Sequence, residues 1–560
     1  MSRRYPLDPP ELESRPNGGS GQGWLSDQGL AMRLAAATAE ILLDIGEWRR
    51  RHADLSRAIV GLALLGLGLL LGAAAAVTDS YLHRGVESGA EQPYIVQPTG
   101  KGLAANVDVR SYSQEQTENV ANALNDAGFL YIRQEFSWSG IEPSRGDYQW
   151  TEYDRIVNEM SRMRIGVIAV IVDTPVWARA IGESGFANAP PRDATLLTAF
   201  SAELAGRYPE AVPFIQVWDR PNLSSNWGGD SATGAIFAPY LEAAWRGAKS
   251  GSAEVRVISP ELAMLPDLPG GEGDLAFIDS LYAVNAASYF DLLGMSLDGD
   301  TYSPDDRRVS VDRGNFSRAI LVRELMIRND DPATPVWATS YGWAASDSVN
   351  RIEQAEFVER GMNRSWSEWP WMGLMVQWAF IAPAESPQEA YAIVDPNGSA
   401  TPLYSRLTSD DLTSRSVIAN TGFAPMDSQS ITDAGNWQDQ HLEGRTFRTT
   451  GQVGASATVE FQGTGLIAYV RSGPEVGGFT ITVDGKVVSG GGGETGDVWD
   501  LSLFSETEDF PRTLVDGLDD TRHTMTITLA SEGELTLGGV EVTRDAPFVW
   551  PIILMTVGAI

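Results

Sequence analysis

The residues best suited to chemistry follow short, apolar, β-rich segments of the chain. Asp173 and Trp177 follow one such segment, and Trp218, Asp219 and Arg220 follow another. Carboxyl groups can act as general acids, general bases or nucleophiles, and tryptophan rings supply flat apolar binding surfaces. The whole chain has four His and no Cys, which excludes a thiol nucleophile and argues against a histidine-rich metal site. We therefore expect carboxylate chemistry or binding, without a metal or a cofactor.

Eight such segments alternate with helical stretches between residues 100 and 410, which is the pattern of parallel βα units. The predicted strands are Leu103–Val109, Phe129–Arg133, Gly166–Val172, Val212–Trp218, Val255–Ser259, Phe290–Leu297, Val336–Ser340 and Met372–Trp378. Eight units of this size fit a (β/α)8 barrel, an α/β fold in which functional groups lie at the carboxyl ends of the strands. The candidate residues are therefore expected to converge at one mouth of the barrel.

Residues 430–545 follow a different pattern, with alternating strands, Gly and Asp turns and no helical stretch. This predicts a β-sandwich after the barrel. The segments Val459–Thr464, Thr482–Gly485 and His523–Ile527 resemble galactose-binding-like jelly-roll domains. The resemblance implies the fold, because such domains bind sugars in some proteins and only pack against a catalytic neighbour in others. The predicted domain boundaries are 95–415 for the barrel and 425–545 for the sandwich.

A long apolar segment precedes the barrel. Residues 58–78 are 21 residues without a charge, and at a rise of 1.5 Å per residue they span roughly 31 Å, the thickness of a bilayer's hydrocarbon core. The length argues against a cleaved signal peptide, and Arg49, Arg50, Arg51 and Arg57 on its N-terminal side predict a cytoplasmic N-terminus. We therefore expect a cell-membrane protein with three parts: a cytoplasmic tail with an amphipathic helix over 1–57, a transmembrane helix over 58–78, and an extracytoplasmic barrel and sandwich.

The last thirteen residues, 548–560, are apolar as well. They are too few to span a bilayer comfortably. They either begin a second transmembrane helix or form an interfacial anchor. The lack of a charge that would close the segment favours the first alternative.

Four motifs at the predicted strand ends occur in an order and spacing that belong together. They are Arg133-Gln-Glu-Phe-Ser-Trp138, Ile141-Glu-Pro-Ser-Arg-Gly-Asp-Tyr-Gln-Trp150, Asp173-Thr-Pro-Val-Trp177 and Ala205-Gly-Arg-Tyr208. These motifs resemble those of retaining glycoside hydrolases of the barrel superfamily. In that family an Arg and a Trp follow strand 2, and the later motifs read, in order, I-E-P-x-x-G-x-Y-x-W, T-P-x-W and A-x-R-Y. This is clan A, the β-xylosidase, iduronidase and endoglucanase group. The resemblance extends over residues 100–410 and implies a carbohydrate ligand at the barrel mouth.

Two further motifs depart from this family at its catalytic positions. The family's strand 4 ends W-N-E-P-N, with Glu as general acid/base, whereas Arg220 stands at that position here. Its strand 7 ends T-E-x-G-W, with Glu as nucleophile, whereas Ser340 stands there. Retaining hydrolysis needs two carboxyl groups about 5–5.5 Å apart, an Arg cannot transfer the proton near neutral pH, and a Ser without an adjacent base is a poor nucleophile. The resemblance therefore implies a barrel that has lost its hydrolytic pair.

Residues around the lost pair are expected to line a ligand cleft. The candidate substrate-binding residues are Arg133, Trp138, Trp177, Trp218, Asp219, Asn222, Trp227, Trp343 and Trp378. For any single Trp, packing in the barrel core is an equal alternative. Arg220 also has two alternatives. It could bind an anionic sugar through its fork of donors, or form an internal ion pair with Glu135, Glu261 or Asp173, which is the favoured alternative.

The leading hypothesis is a membrane-anchored pseudoenzyme that binds an envelope or exported glycan. A first alternative is an active O-glycosyl hydrolase with relocated carboxyl groups, drawn from Asp219, Asp173, Glu135, Glu261, Asp298 and Asp300. A second is a structural subunit of a membrane complex. The expected partners are a carbohydrate, membrane lipid around residues 58–78 and, in the last case, other membrane proteins. The net charge of −33 argues against nucleic acid, because phosphate binding needs clustered Lys and Arg.

Overall fold

The computed structural model describes most of the chain between residues 50 and 544. The described residues are 38, 40, 50–86, 95–110, 112–180, 187–264, 272–442, 445–489, 497–502 and 508–544. Most of the N-terminal tail and the apolar segment 548–560 lie outside them, so the predicted amphipathic helix and second membrane segment stay predictions. From Tyr81 onward, the described residues form one compact unit.

Before this unit, α1 runs over Ala53–His83 as one continuous helix. Its 26-residue stretch Ala53–Thr78 is long and apolar enough to cross a membrane, and it is the one such helix among the described residues. Its leucines are exposed, with 68% of Leu62 and 67% of Leu69 accessible. A helix that is apolar on all sides without being covered by protein has the composition of a membrane span.

The compact unit begins with a barrel of eight parallel strands, as predicted. The strands are β1 (Leu103–Asn106), β2 (Phe129–Ser137), β3 (Gly166–Val172), β4 (Phe214–Val217), β5 (Arg256–Ile258), β6 (Leu293–Asp298), β7 (Val336–Gly342) and β8 (Met372–Gln377). Their order around the sheet is β5-β4-β3-β2-β1-β8-β7-β6. A parallel bridge between Ile258 and Leu292 joins the two edges. The strands form because they are short runs of buried, mostly β-branched or aliphatic residues bounded by turns.

Each strand of the barrel is followed along the chain by one or more helices. They are α2 (Gln114–Asp126), α3 (Thr151–Arg162), α4 (Leu196–Arg207), α5 (Gly234–Gly251), α6 (Asp274–Ala283), α7 (Ala319–Arg328), α8 (Arg351–Glu368), α9 (Pro402–Leu407) and α10 (Asp410–Ser416). After β8 the chain forms a small parallel pair, β9 (Ala379–Ile381) and β10 (Ala392–Val394), before α9. The helix-and-strand alternation places the loops after the strands at one mouth.

Two antiparallel sheets follow the barrel. One has the order β13-β14-β21-β16-β19 with β11 also paired to β21, and the other has the order β12-β15-β20-β17-β18. The strands are β11 (Gly422–Ala424), β12 (Ile431–Ala434), β13 (Gln438–Leu442), β14 (Arg445–Thr450), β15 (Ser456–Gly463), β16 (Gly465–Ser472), β17 (Phe479–Val483), β18 (Lys486–Val487), β19 (Glu508–Val515), β20 (Thr521–Leu529) and β21 (Leu535–Thr543). Phe461, Val470 and Ile527 belong to one buried cluster shared by both sheets. This is the sandwich-like arrangement that alternating strands predict, while the predicted domain boundaries stay predictions.

Two buried ionisable side chains lie at or near the junction of barrel and sandwich. The Lys101 Nζ donates hydrogen bonds to the carbonyl oxygens of Trp369, at 2.8 Å, and Thr421, at 2.9 Å. On β21, the buried Glu541 accepts a hydrogen bond from the hydroxyl of Tyr469 at 2.7 Å. Burial lowers the pKa of Lys101 to about 7 and raises the pKa of Glu541 to about 7, because desolvation disfavours each charged form.

Candidate functional site

Arg220 and Ser340 lie at the carboxyl ends of two barrel strands, where the sequence motifs predict the altered catalytic positions. Ser340 is buried within β7. After β4 the chain leaves strand geometry, because Trp218 and Arg220 have φ angles of 70° and 46°. A left-handed backbone is unfavourable for such bulky residues, so surrounding contacts must hold it. One such contact is the hydrogen bond of 2.8 Å from the Arg220 N–H to the carbonyl oxygen of Glu261.

Glu261, in the loop after β5, connects these two positions. Its side chain is fully buried. One carboxylate oxygen accepts hydrogen bonds from Nε and Nη2 of Arg220 at 2.9 and 2.7 Å. The other accepts hydrogen bonds from the hydroxyls of Ser340, at 2.8 Å, and Thr339, at 3.0 Å. A single carboxylate therefore joins Arg220 to Ser340, the two residues for which the sequence motifs predict altered catalytic positions.

Arg133 from β2 completes this arrangement. Its Nη2 lies 2.6 Å from Asp219 Oδ1 and 3.3 Å from Glu261 Oε2. Its Nε donates to the side-chain oxygen of Gln216 at 2.9 Å, and its Nη1 donates to that of Asn106 at 2.7 Å. All three guanidinium nitrogens thus have protein acceptors. We call Arg133, Asp219, Arg220, Glu261 and Ser340 the central network.

The central network fixes the ionisation of its buried carboxylate. Burial by itself would raise the pKa of Glu261, but the guanidinium groups of Arg220 and Arg133 outweigh it and hold the pKa below its ordinary value. Glu261 is therefore ionised at neutral pH and is an acceptor only. Burial raises the pKa values of Glu135 and Asp298, two carboxyl groups bordering the network.

Two pockets border the central network. The Glu135 pocket, of about 150 Å³, is lined by Glu135, Asp173, Asn188, Trp218, Asp219 and Asn226. The Trp378 pocket, of about 330 Å³, is lined by Arg220, Ser296, Asp298, Asp300, Gly314 and Trp378. Both lie beyond the carboxyl ends of the strands, where barrel proteins bind their ligands. We call the two pockets together the cleft.

Larger cavities lie at the opposite ends of the strands. Their volumes are about 460 and 700 Å³, and their walls include the first residues of three strands, Gly166, Phe214 and Arg256, together with Asp427. Size does not favour them as the functional site, because the amino ends of barrel strands serve stability rather than chemistry. We therefore place the candidate site at the cleft.

Several predicted ligand-binding residues are buried instead. Side-chain exposure is between 0 and 5% for Trp138, Trp218, Trp227 and Trp343. Rings so deeply buried fit core packing, the alternative, better than the predicted stacking role, although Trp218 also borders the Glu135 pocket. Asn222 is also buried, with its side-chain amide bonded to the backbone of Ala263 at 2.9 and 3.0 Å. Its predicted contact with substrate is therefore replaced by a contact that holds the loop after β5.

Two of the candidate tryptophans remain partly exposed, namely Trp177 and Trp378. Trp177 donates its indole N–H to the carbonyl oxygen of Glu142 at 3.0 Å. Trp378 stacks on Tyr391 with ring centroids 4.5 Å apart, and the guanidinium carbon of Arg220 lies 4.7 Å from its ring centroid. These contacts fix both rings; Trp378 lines the cleft, whereas Trp177 lines neither of its two pockets.

Some residues of the site were not identified from the sequence. Gln216 and Asn106 hold Arg133, and Tyr391 holds both Trp378 and Asp298. The role of Gln216 could have been predicted from the sequence, because a polar residue inside a buried strand needs a polar partner. No sequence feature indicated Tyr391, because it belongs to the segment between β9 and β10 and reaches the cleft only in the folded chain. Among the three partners predicted for Arg220, the structure selects Glu261.

Comparison with known proteins agrees with the fold. The family model described as β-galactosidase, glycoside hydrolase family 42, matches residues 109–184, a segment that contains the motifs after β2 and β3. A search of curated proteins returns no match. The chain thus resembles barrel-fold glycoside hydrolases, as its motifs predict.

Solved structures similar to this chain include three glycoside hydrolases. A family 39 enzyme from Bacteroides cellulosilyticus WH2 has 16% identity and a TM-score of 0.46, covering 78% of this chain and 82% of its own. A glucosidase from Croceicoccus marinus has 13% identity and a TM-score of 0.44, covering 82% and 98%. A family 30 endoxylanase from Clostridium papyrosolvens C71 has 12% identity and a TM-score of 0.40, covering 77% and 97%.

The fold and the family match define the class as a glycoside-hydrolase-like barrel with an appended sandwich-like domain. Within that class, this chain is distinguished by its central network. An arginine and a serine stand at the catalytic positions predicted from the motifs, and Glu261 binds both.

Proposed function

We propose that this chain is a membrane-tethered, non-catalytic glycan-binding protein built on a hydrolase barrel. The observation that carries the proposal is the hydrogen bonding of Glu261 to both Arg220 and Ser340. Its two oxygens accept at least four hydrogen bonds from protein donors, so it offers neither an attacking lone pair nor a proton. A hydrolase needs both functions at these positions.

The remaining features support binding rather than turnover. The cleft keeps one partly exposed tryptophan ring, that of Trp378, and several polar side chains beyond the strand ends. The apolar helix Ala53–Thr78 is suited to tether the barrel to a membrane. With the Arg-rich flank on its N-terminal side, the proposed orientation places the barrel and sandwich outside the cytoplasm, facing an envelope or exported glycan.

A second candidate, an active hydrolase with relocated acids, has one observation in its favour. Burial raises the pKa values of Glu135 and Asp298, and a raised carboxyl pKa is typical of general acids. Both groups are already bound, however, Glu135 by Arg110 at 2.7 Å and Asp298 by the hydroxyl of Tyr391. The candidate predicts turnover by the wild-type chain that Glu135→Gln or Asp298→Asn abolishes.

The test is a hydrolysis assay on the full chain in detergent, run beside a variant that restores the catalytic pair. The variant is Arg220→Glu, Ser340→Glu and Glu261→Ala together, because Glu261 left in place would put three carboxylates side by side. We expect no release of nitrophenol from a panel of aryl glycosides by the wild type, and slow but measurable release by the triple variant. Wild-type turnover would contradict the proposal. The matched control carries the single substitution Glu261→Ala and is expected to be inactive.

A further inference from the structure

The cleft contains more carboxyl groups than guanidinium groups. Six carboxyl groups line it or pair with a group that does, namely Glu135, Asp173, Asp219, Glu261, Asp298 and Asp300. Three guanidinium groups line it or pair with a lining group, namely Arg110, Arg133 and Arg220. The excess charge is negative, so the field in the cleft repels an anion and attracts a cation.

The three arginines are moreover bound to protein carboxylates. Arg110 lies 2.7 Å from both Asp108 and Glu135. Arg220 binds Glu261, which also lies 3.3 Å from Arg133. Recognition of an acidic sugar would need a guanidinium fork that is free to bind its carboxylate. Each fork in this cleft is instead directed at an internal partner.

The pKa values of two carboxyl groups in the cleft are raised. Burial is the main reason for the raised pKa of Glu135, and the carboxylates of Asp219 and Asp108 raise it further in spite of Arg110. Burial likewise raises the pKa of Asp298, although the hydrogen bonds from Tyr391 and from the Asp300 N–H oppose it. Ligand hydroxyl or ammonium donors would relieve these like-charge contacts, whereas a ligand carboxylate would add to them.

We propose that the cleft selects neutral or amino-bearing glycans over acidic ones, and that Glu261 sets this selectivity by holding Arg133 and Arg220. The inference rests on the proposed glycan binding and names its ligand class. Glu261 is a positioning residue, because it is fully buried and touches the arginines rather than a ligand. Without its charge, the fork of Arg220 is released and Arg133 keeps a single carboxylate partner, Asp219.

The experiment measures calorimetric binding of three hexasaccharides to the full chain in detergent. The probes are glucosamine hexamer, which is cationic, N-acetylglucosamine hexamer, which is neutral, and hexagalacturonate, which is anionic. The wild type is expected to bind at least one of the first two about tenfold or more tightly than hexagalacturonate. Tighter binding of hexagalacturonate would overturn the inference.

Glu261→Gln tests the role of the residue itself. This variant is expected to gain about tenfold in affinity for hexagalacturonate, and the gain should shrink at high salt. Glu152→Gln, a change of equal charge at an exposed residue of α3, is the matched control and should change nothing. A folded Glu261→Gln variant with unchanged hexagalacturonate affinity would overturn the role of Glu261.

The outcomes separate the inference from the function on which it rests. If the wild type binds none of the probes, the proposed glycan binding is wrong. The affinity of Glu261→Gln for hexagalacturonate then still shows whether Glu261 excludes anions. If circular dichroism shows that Glu261→Gln does not fold, Asp219→Asn replaces it, because it removes the other carboxylate on Arg133. A smaller gain for hexagalacturonate is expected there, and no gain would count against the inference.

Discussion

Glu261 is the side chain with the largest expected effect on the stability of the site. Replacing it with Ala leaves Arg220 and the buried Arg133 without a shared counter-charge. Breaking a buried ion pair from one side costs about 3–5 kcal/mol, so Glu261→Ala is expected to lower the barrel's melting temperature by many degrees. Thermal denaturation followed by tryptophan fluorescence checks this, with Glu152→Ala as the exposed control. If the melting temperature falls no further than in the control, the central network does not contribute measurably to the stability of the fold.

At this scale the sequence predicted positions better than contacts. Arg220 and Ser340 could be placed at strand ends because motif order and strand periodicity are local properties of the chain. The exposure of Trp138 and Trp343 could not, because a residue at a strand end points either into the mouth or into the layer between strands and helices. That choice depends on the bend of each loop, and the left-handed backbone of Trp218 has no signature in its residue type.

Among the elements, α8 supports the strand that carries Ser340. The hydroxyl of Tyr341, next to Ser340, donates to the carbonyl oxygen of Val358 in α8 at 2.6 Å. The side chain of Gln354 donates to the carbonyl oxygen of Trp343 at 2.6 Å. The end of β7 is thus fixed from the helix side as well as by its neighbouring strands.

The start of α8 offers a test of this support. The Asn350 side chain accepts hydrogen bonds from the backbone N–H groups of Ile352 and Glu353, and the backbone N–H of Asn350 donates one to the Glu353 carboxylate. Asn350→Ala is expected to lower the free energy of unfolding by about 1 kcal/mol, and Asn350→Asp to change it little, because Asp also caps helices. Urea denaturation measures both. If the amide of Trp343 exchanges hydrogen faster in Asn350→Ala than in the wild type and Asn350→Asp, the helix cap helps to hold the end of β7. Equal exchange rates in all three proteins would contradict this.

The strands and helices of the barrel were predictable because their periodicity depends on few neighbouring residues. Each predicted strand overlaps an observed one, with ends shifted by at most four residues. The short pair β9 and β10 was not predicted. It has three residues in each strand, too few to show a period, and its two segments, ten residues apart in the chain, pair only in the folded structure.

In the molecule as a whole, the junction of barrel and sandwich should make stability depend on pH. Lys101 has a folded pKa of about 7 against an ordinary 10.5, so between these values the unfolded chain binds the extra proton and stability rises with pH. Glu541 has a folded pKa of about 7 against 4.5, so between these values the folded chain binds the extra proton and stability falls as pH rises. The two contributions together give lowest stability near pH 7.

Melting temperatures of the full chain from pH 4.5 to 10.5 check this expectation through differences between variants. Lys101→Met is expected to flatten the rise above pH 7, and Glu541→Gln to flatten the fall below pH 7, relative to the wild type. Lys486→Met, at an exposed position on β18, is the matched control for the first variant. Parallel profiles for wild type and both variants would contradict the assignment.

The shared carboxylate of Glu261 also has a consequence for how this protein can evolve. A Glu at position 220 alone would remove one counter-charge of Glu261 and add a second negative charge beside it. A Glu at position 340 alone would replace a hydrogen-bond donor to Glu261 with a like charge. Under the proposed function, each single substitution towards a carboxylate pair therefore costs stability before hydrolysis becomes possible, so selection would oppose acquiring the two substitutions one at a time.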